Sequence, residues 1–250
     1  MNRDQWWNAP GIICHYTTAG ALLTILGSRK LRLGEFKNSN DPWESEFWVP
    51  GTTDGGRPGD GFDGARHIAQ IDESKRNINR ISFANDEILN VRSSGHEVSD
   101  RGFGSFPMWT HYADKFSGAC LLLDRDQLLR EAKEQLGPSS VFVDGRNISY
   151  EGHISAPSSR VDQSGHEYID SNIASLLFRK HKQWAYENEF RLASIARSPG
   201  YQFIECRKAL VGVVVGKKSP LNYINLHAAF EINVLCQQIQ SGRQWVWQPH

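Results

Sequence analysis

Residues 184–194 read Trp-Ala-Tyr-Glu-Asn-Glu-Phe-Arg-Leu-Ala-Ser. From Glu187 the residues alternate between polar and apolar, which is typical of a β-strand. Because successive side chains of a strand point to opposite faces, Glu187, Glu189 and Arg191 would share one face. Two neighbouring carboxylates repel, so we expect the pKa of one to rise while the arginine keeps the other charged. Such a pair suits acid–base chemistry; the alternative is a solvated edge strand with an ordinary ion pair.

Composition favours one globular domain over residues 1–250. The chain is 39% hydrophobic and 22% charged, and its 28 basic and 28 acidic residues give a formal net charge of zero. A neutral chain has no global field that would attract nucleic acid or a membrane, so such a partner would need a local patch. The four cysteines form no C-x-x-C pair, which favours a reducing cytosol and disfavours zinc. No apolar stretch approaches the roughly 20 residues of a membrane span, and we predict a soluble cytoplasmic protein.

Strand and helix patterns are interspersed without a steady βαβ rhythm, which predicts an α+β fold. Thr17 or Thr18 is expected to cap the helix at 18–27. Asp41 and Pro42 predict a capped helix start, and Asp144-Gly145 a turn between two strands. Polar, glycine-rich or serine-rich segments predict loops at 51–64, 85–104 and 152–166. The strands are expected at 12–17, 31–33, 80–84, 118–123, 141–143, 147–151, 190–196, 201–204, 209–215 and 230–235, with 190–196 and 201–204 as a hairpin. The helices are expected at 18–27, 43–48, 65–76, 106–112, 124–136 and 167–184.

A basic cluster falls in the last turns of the predicted 167–184 helix. It contains Arg179, Lys180 and Lys182. Cations there complement the negative end of the helix dipole, which is the structural interpretation. The functional interpretation is an anion-binding patch beside the acidic strand.

His15-Tyr16-Thr17 ends the predicted opening strand. Taken alone, a histidine at a strand end is more often structural than ligand-binding. The sequence contains no G-x-G-x-x-G directly after a predicted strand, no P-loop or G-x-S-x-G motif and no His/Cys metal spacing. It therefore does not predict nucleotide binding, a nucleophile elbow or a metal site of these kinds.

The order of several short motifs is more specific than any one of them. They are His15-Tyr16-Thr17, Leu31-Arg32-Leu33, Asn40-Asp41-Pro42, Ile81-Ser82-Phe83, Trp109-Thr110-His111-Tyr112-Ala113, 118–124 and Glu187-Asn188-Glu189-Phe190-Arg191-Leu192. This order, over most of residues 12–216, resembles a bacterial family of unknown function that runs from H-Y-T to E-x-E-[WF]-R-L. That pattern in turn resembles the DarT-like ADP-ribosyltransferases, which open with an H-x-T strand and place a catalytic glutamate on a late strand.

The resemblance implies an ADP-ribosyltransferase-like α+β fold, with split mixed sheets, flanking helices and a cleft for NAD as co-substrate, and no metal. It implies that His15 and Thr17 bond the ribose and amide of the nicotinamide half. Tyr16 or Tyr112 would stack on nicotinamide.

The same resemblance implies roles for the charged residues. Glu189 would be the catalytic carboxylate, because one bonded to the ribose 2′-hydroxyl stabilises the oxocarbenium-like transition state. Glu187 would orient or deprotonate the acceptor, and Arg191 or Arg32 would bind the pyrophosphate.

We therefore predict an NAD-dependent ADP-ribosyltransferase that acts as an intracellular toxin or antiphage effector. A nucleic-acid acceptor, RNA or DNA, is favoured over protein by the resemblance and by the basic cluster of Arg179, Lys180 and Lys182. A toxin would also imply an antitoxin or inhibitor protein that blocks the cleft. The alternatives are an NAD glycohydrolase and a non-catalytic binding or sensor module.

Overall fold

The computed structural model describes residues 6–7, 9–46, 48–52, 63–86, 101–160, 162–240 and 243–247. The strands in these ranges are β1 (Ile12–Thr17), β2 (Lys30–Glu35), β3 (Ile78–Asn85), β4 (Ala119–Asp124), β5 (Ser140–Asn147), β6 (Ser149–Glu151), β7 (Arg179–His181), β8 (Glu189–Ala196), β9 (Gln202–Glu205), β10 (Leu210–Val215), β11 (Val234–Gln240) and β12 (Arg243–Trp247). The α-helices are α1 (Ala19–Ser28), α2 (Pro42–Ser45), α3 (Gly64–Lys75), α4 (Phe106–Tyr112), α5 (Arg125–Leu136), α6 (Gly165–Ser171), α7 (Ile173–Leu177) and α8 (Tyr223–Phe230).

One mixed sheet organises the described part of the chain. Its order is β12-β11-β10-β4-β1-β3-β2-β9, with β8 paired to β3 and β5 paired to β8. The β10–β11 pair is parallel, while β1, β3 and β8 pair antiparallel with their neighbours. Strands β6 and β7 form a separate parallel pair. With helices packed on the sheet, the architecture is α+β, as predicted.

The sheet divides along one edge of β3. Strand β1 pairs with the end of β3, where Ile13 and Cys14 face Asn85 and Ala84. Strand β2 pairs with its start, where Gly34 and Glu35 face Arg80 and Asn79. Residues 81–83 have no partner in either strand, so β1 and β2 diverge and leave a gap between them. Strand β8 occupies the opposite edge of β3 along nearly its whole length.

The core lies on both faces of the sheet. Helices α1, α5 and α8 pack on one face through Leu22, Leu128 and Leu226. Helix α4 covers part of the other face, where Met108 and Trp109 join a second cluster. A third cluster brings α3, α6 and α7 against the β3–β8 region; it includes Ile71, Tyr168, Leu176, Ile78 and Ile195.

Strand β8 is central, not an exposed edge strand. It lies between β3 and β5, and all eight of its residues are buried. Phe190 and Leu192 enter the first core cluster, while Ala193 and Ile195 enter the third. Glu189 and Arg191 have the parity of Ala193 and Ile195, so they share a face as predicted. Their charges are therefore enclosed rather than solvated.

Several local predictions are confirmed. Thr18 caps α1 by accepting a hydrogen bond from the Ala21 backbone N–H at 3.2 Å. Asp41 caps α2, with Pro42 in its first turn, although this helix is one turn long and ends before 48. All four cysteines are buried and unpaired, as expected for small core residues.

The predicted helix over 167–184 is wrong. The segment forms two short helices, α6 and α7, then β7 and a 3-10 helix, Lys182–Glu187. The helix is interrupted at Asn172, whose side chain donates to the Tyr168 carbonyl at 2.8 Å. The helix was predicted from the spacing of Ile169, Ile173, Leu176, Leu177 and Trp184. The first four pack in or against the third core cluster, but from separate elements, and Trp184 lies in the 3-10 helix outside this cluster.

Two strand connections also differ from prediction. Residues 202–205 pair with β2 instead of folding back on β8, so there is no 190–204 hairpin. Asp144-Gly145 lies inside the continuous strand β5 rather than at a turn. A Cβ built on Gly145 would come within 2.5 Å of the Phe190 ring, so this glycine serves close packing between β5 and β8.

The predicted loops are described only in part. Residues 53–62 of the 51–64 loop and 87–100 of the 85–104 loop lie outside the described residues. The described residues of 152–164 contain one isolated bridge, between Thr52 and Ser159, before α6 begins at Gly165. The tail residues 243–247 pair with β11 as an additional strand.

Candidate active site

The gap between β1 and β2 is the mouth of a cavity of about 250 Å³. Its walls come from the diverging strands, the unpaired segment 81–83, helix α4 and the segment around β7. The lining residues are Cys14, His15, Tyr16, Arg32, Gly34, Asn40, Arg80, Ile81, Ser82, Phe83, Met108, Tyr112, Lys180, Glu187 and Glu189. The structure therefore brings the first histidine of the chain and the late acidic pair to one site.

His15 is fixed in one tautomer by the divided sheet. Its Nδ1 lies 3.1 Å from the carbonyl oxygen of Ser82. A carbonyl only accepts, so Nδ1 carries the proton and Nε2 keeps a lone pair. Burial lowers the pKa of His15 below its ordinary value, which favours this neutral form. Among the described residues Nε2 has no partner, so it can accept a hydrogen bond from a ligand.

Glu187 and Glu189 do not lie on one strand. Glu187 ends the 3-10 helix Lys182–Glu187, Asn188 has a left-handed backbone with φ of 41°, and β8 begins at Glu189. The two carboxylates meet through Lys180, whose Nζ is 2.6 Å from Glu187 Oε2 and 2.9 Å from Glu189 Oε2. The Lys180 ammonium between the two carboxylates thus offsets their mutual repulsion.

Four hydrogen bonds and ion pairs occupy the Glu189 carboxylate, which is 2% exposed. Oε1 accepts from Ser82 Oγ at 2.5 Å and Arg191 Nε at 2.7 Å. Oε2 accepts from Arg191 Nη2 at 3.1 Å and faces Lys180 at 2.9 Å. Burial alone would raise the pKa of Glu189, but Arg191 and Lys180 hold it well below its ordinary value. A carboxylate offers about four lone-pair positions, so Glu189 has little capacity left for a ligand.

Arg191 lies behind the cavity and is 0% exposed. Besides Glu189, it contacts Glu44 Oε1 at 2.5 Å and donates to the Leu177 carbonyl at 2.7 Å. Glu44 is also buried and pairs with Arg80 at 3.0 Å. Burial would lower the pKa of Arg191, but the Glu189 and Glu44 carboxylates raise it. Of the two arginines predicted for the pyrophosphate, Arg191 or Arg32, Arg191 is enclosed and occupied and does not line the cavity.

Glu187 retains acceptor capacity that Glu189 lacks. Its Oε1 accepts from the Tyr112 hydroxyl at 2.6 Å, and among the described residues its Oε2 contacts only Lys180. Burial, together with the hydrogen bond to Glu187, raises the pKa of Tyr112, so the phenol stays a donor. Asn40 donates to the Tyr112 oxygen at 3.1 Å and fixes the ring. Two lone-pair positions of Glu187 are thus left for a ligand in the cavity.

Of the other predicted cofactor residues, Arg32 and Tyr16 line the cavity and Thr17 does not. Arg32 is exposed at the mouth of the cavity and has no carboxylate partner among the described residues, so it can meet a phosphate. Tyr16 lines the cavity, but its hydroxyl is tied to the Gly102 carbonyl at 2.5 Å and its ring packs edge-on against Trp109. Thr17 is buried, pairs with Ala119 and does not line the cavity.

The predicted basic cluster is not a surface patch. Lys180 is 3% exposed and lies between the two carboxylates of the cavity. Burial would lower the pKa of Lys180, but Glu189 and Glu44 raise it, so it is charged. Arg179 is held by Glu151 and by two backbone carbonyls. Of the three, only Lys182 is exposed and unpaired among the described residues.

Sequence reasoning missed four polar residues of the site: Ser82, Glu44, Arg80 and Asn40. Ser82 and Arg80 alternate along β3 and share a face with Glu189 and Arg191, as the strand register shows. The motifs Ile81-Ser82-Phe83 and Asn40-Asp41-Pro42 marked these regions without assigning them to the site. Glu44 sits in a one-turn helix, and no local pattern indicated its burial.

Neither metal-binding nor membrane-spanning features stand out in the described ranges. They contain no group of three or more His, Cys, Asp or Glu side chains that could hold a metal ion. No helix in the same ranges is long and apolar enough to cross a membrane.

Comparison with known proteins gives one match. Residues 108–192, about a third of the chain, match the model of a family described as "Protein of unknown function (DUF2971)". The matched range contains Tyr112, Lys180, Glu187 and Glu189 but not His15. This agrees with the resemblance to a family of unknown function. No curated protein and no solved structure matches the chain.

Replacement of Arg191 tests the buried charge network. We expect Arg191→Met to lower the free energy of unfolding by about 3–5 kcal/mol, because it leaves Glu44 and Glu189 buried without their shared cation. Denaturant unfolding would measure the loss, with the exposed Arg197→Met as the matched control. Adding Glu44→Gln to Arg191→Met should recover part of the loss. Equal small effects of Arg191→Met and Arg197→Met would contradict the network's structural role.

The neutral state of His15 predicts a pH effect on stability. The unfolded histidine binds a proton more readily than the folded one, so stability is lost as pH falls below about 6.5. We expect the stability difference between wild type and His15→Asn to shift against wild type by at most ~1.4 kcal/mol per pH unit, the limit for one proton. Urea unfolding from pH 7.5 to 5.5 measures this, with exposed His153→Asn as control. A pH-independent difference would show that His15 is not held neutral.

Proposed function

We propose that this protein is an NAD-dependent ADP-ribosyltransferase whose reaction takes place in the cavity between β1 and β2. One observation carries the proposal: His15, Tyr112 and the Glu187–Glu189 pair, distant in sequence, line a single cavity at a division of the sheet. This is the cleft arrangement that the family resemblance implies. The proposal is supported by hydrogen-bond acceptors inside the cavity and by Arg32 at its mouth, which has no carboxylate partner among the described residues.

The cavity suits the nicotinamide riboside end of NAD. Phe83, Met108 and Tyr112 supply apolar and aromatic walls for a flat ring. The lone pair of His15 Nε2 and the open positions of Glu187 are both acceptors, and the two hydroxyls of a ribose are donors. A diol between these two groups would satisfy them together, which a purely apolar ligand would not.

Hydrogen-bond capacity reverses the expected roles of the two acids. The resemblance assigns Glu189 as the catalytic carboxylate, but its four partners leave little capacity for a ribose hydroxyl. We therefore assign the ligand contact to Glu187. Glu189 acts as a positioning residue that fixes Lys180, which in turn orients Glu187.

The proposed reaction transfers ADP-ribose from NAD to an acceptor. The bond between C1′ of the ribose and the nicotinamide nitrogen breaks, and its electron pair leaves with nicotinamide. A lone pair of the acceptor forms the new bond to C1′, and the acceptor releases its proton to solvent. Positive charge develops on the ribose between these events, and a carboxylate on the 2′-hydroxyl stabilises it more than it stabilises the ground state.

The acceptor proposed here is nucleic acid, RNA or DNA, and the biological role is that of a toxin or antiphage effector with an inhibitor protein. These proposals rest on the family resemblance, since the basic cluster supplies only Lys182 to the surface. Water as acceptor would make the protein an NAD glycohydrolase with the same cavity. The complete pairing around Arg191 would suit a non-catalytic module that binds a ligand through the open acceptors on His15 and Glu187, and release of nicotinamide distinguishes an enzyme from such a module.

Turnover of NAD by purified protein tests the proposal. We expect wild type to release nicotinamide and Glu187→Gln to release it at least about 100-fold more slowly, as for loss of one transition-state contact. Glu134→Gln, an exposed carboxylate on α5, is the matched control. Labelled NAD offered with RNA, DNA or protein identifies the acceptor, and free ADP-ribose alone indicates hydrolysis.

Two results would contradict the proposal. Wild-type turnover in Glu187→Gln would remove Glu187 from the chemistry and contradict its assigned contact with the ribose. Absence of nicotinamide release with every acceptor class would favour the non-catalytic module. Expression of wild type and Glu187→Gln in a bacterial host, scored for growth arrest and NAD loss, tests the toxin role separately.

A further inference from the structure

The cavity is too small for a whole dinucleotide. Its volume of about 250 Å³ is below the roughly 300–1,000 Å³ of pockets that enclose a drug-sized ligand, and NAD is larger than most such ligands. If the nicotinamide riboside occupies it, the pyrophosphate and adenosine must lie outside. The question is which surface next to the mouth receives them.

The outer face of the β2–β9 pair continues directly from the cavity. Gly34 and Arg32 line the cavity mouth and lie on the exposed face of β2, while Leu31 and Leu33 point into the core. Arg32 is opposite Phe203 in the antiparallel register, and β9 ends the main strand order of the sheet. A ligand leaving the cavity past Arg32 therefore meets β9 next.

Two aromatic side chains stand exposed at this position. Tyr201 is 61% exposed and Phe203 49% exposed. The guanidinium carbon of Arg32 lies 5.2 Å from the centre of the Tyr201 ring. Exposed aromatic residues on an edge strand favour unwanted association, so their presence beside a cationic group needs a reason.

We propose that Arg32, Tyr201 and Phe203 form the subsite for the adenosine diphosphate half of NAD. Arg32 binds the pyrophosphate as a planar donor fork, and the adenine ring stacks on the exposed aromatic pair. The occupant follows from continuity with the cavity and from charge: a cation without a carboxylate partner in the described ranges borders two flat apolar rings. The inference rests on the proposed function and adds Tyr201 and Phe203 as binding residues.

Comparison of NAD with nicotinamide mononucleotide, which lacks the adenosine monophosphate portion, tests this subsite. We expect the Tyr201→Ala/Phe203→Ala double variant to bind NAD about tenfold more weakly than wild type, from loss of stacking on a base. Its affinity for the mononucleotide should change less than twofold. Arg32→Met should weaken both ligands, since both carry a phosphate next to the nicotinamide ribose. Titration calorimetry gives the affinities, and Ile224→Ala, an exposed apolar residue on α8, is the control.

The outcomes separate the inference from the proposed function. Unchanged NAD affinity in the double variant, or equal weakening of NAD and the mononucleotide, would overturn the subsite while NAD binding itself stands. Weakened binding of a single-stranded RNA with NAD affinity intact would overturn it as well and make this face an acceptor surface. Wild type that binds neither NAD nor the mononucleotide would overturn the proposed function, and the subsite with it.

Discussion

The structure depends on the enclosure of the Arg191 guanidinium between two buried carboxylates, Glu189 and Glu44. Taking such charges out of water costs several kcal/mol for each ion, and only close pairing with further hydrogen bonds offsets this cost. The network supplies both: Glu189 is met by four donors, Arg191 by two carboxylates and the Leu177 carbonyl. Arg80 extends the network from Glu44, and Lys180 extends it from Glu189 to Glu187. The formal charges of the three glutamates are thus balanced by two arginines and one lysine. Because the network joins α2, β3, β7 and β8, it fixes the floor of the cavity.

The divided sheet supplies the rest of the site. Where β1 and β2 leave β3, residues 81–83 have no strand partner on that edge, and the Ser82 carbonyl accepts from His15 instead. The same residue sends its hydroxyl to Glu189. Ser82 thus connects the histidine at the cavity wall with the charge network behind it. This arrangement leaves His15 Nε2 and two positions of Glu187 as the open acceptors, and a sugar diol is the chemistry that fits them.

Much of this was predictable where local signals decide structure. The capping residues Thr18 and Asp41, the strand at 12–17 and the shared face of Glu189 and Arg191 follow from spacing and turn chemistry. The interruption of the 167–184 segment did not, because five apolar residues at helical intervals look alike whether one helix or several elements bury them. Likewise, Gly145 resembles a turn residue until the Phe190 ring against it is known. The convergence of His15 with the acidic pair was anticipated only through motif order, since no local pattern records contacts between distant segments.

The role of the acids shows the same limit. Position in E-x-E-F-R-L favours Glu189 as the reacting carboxylate, but hydrogen-bond capacity depends on Lys180, outside the motif, and on Ser82 and Tyr112, which lie far away in sequence. The burial of Arg191 likewise follows from Glu44, which comes from a single helical turn. The role of each acid is therefore set by the residues that contact it in the folded structure. The motif identifies the two glutamates but does not say which of them contacts the ligand.

The proposed function requires that NAD place its nicotinamide ribose between His15 and Glu187. Nitrogen-15 NMR of the histidine side chains, with His15 assigned by its loss in His15→Asn, tests it most directly. On addition of NAD we expect the Nε2 signal of His15 to shift, because its lone pair accepts a hydrogen bond. The Nδ1 signal should not change, because Nδ1 remains bonded to the Ser82 carbonyl. If both His15 signals were unchanged at saturating NAD, the placement of the ribose against His15 would be contradicted.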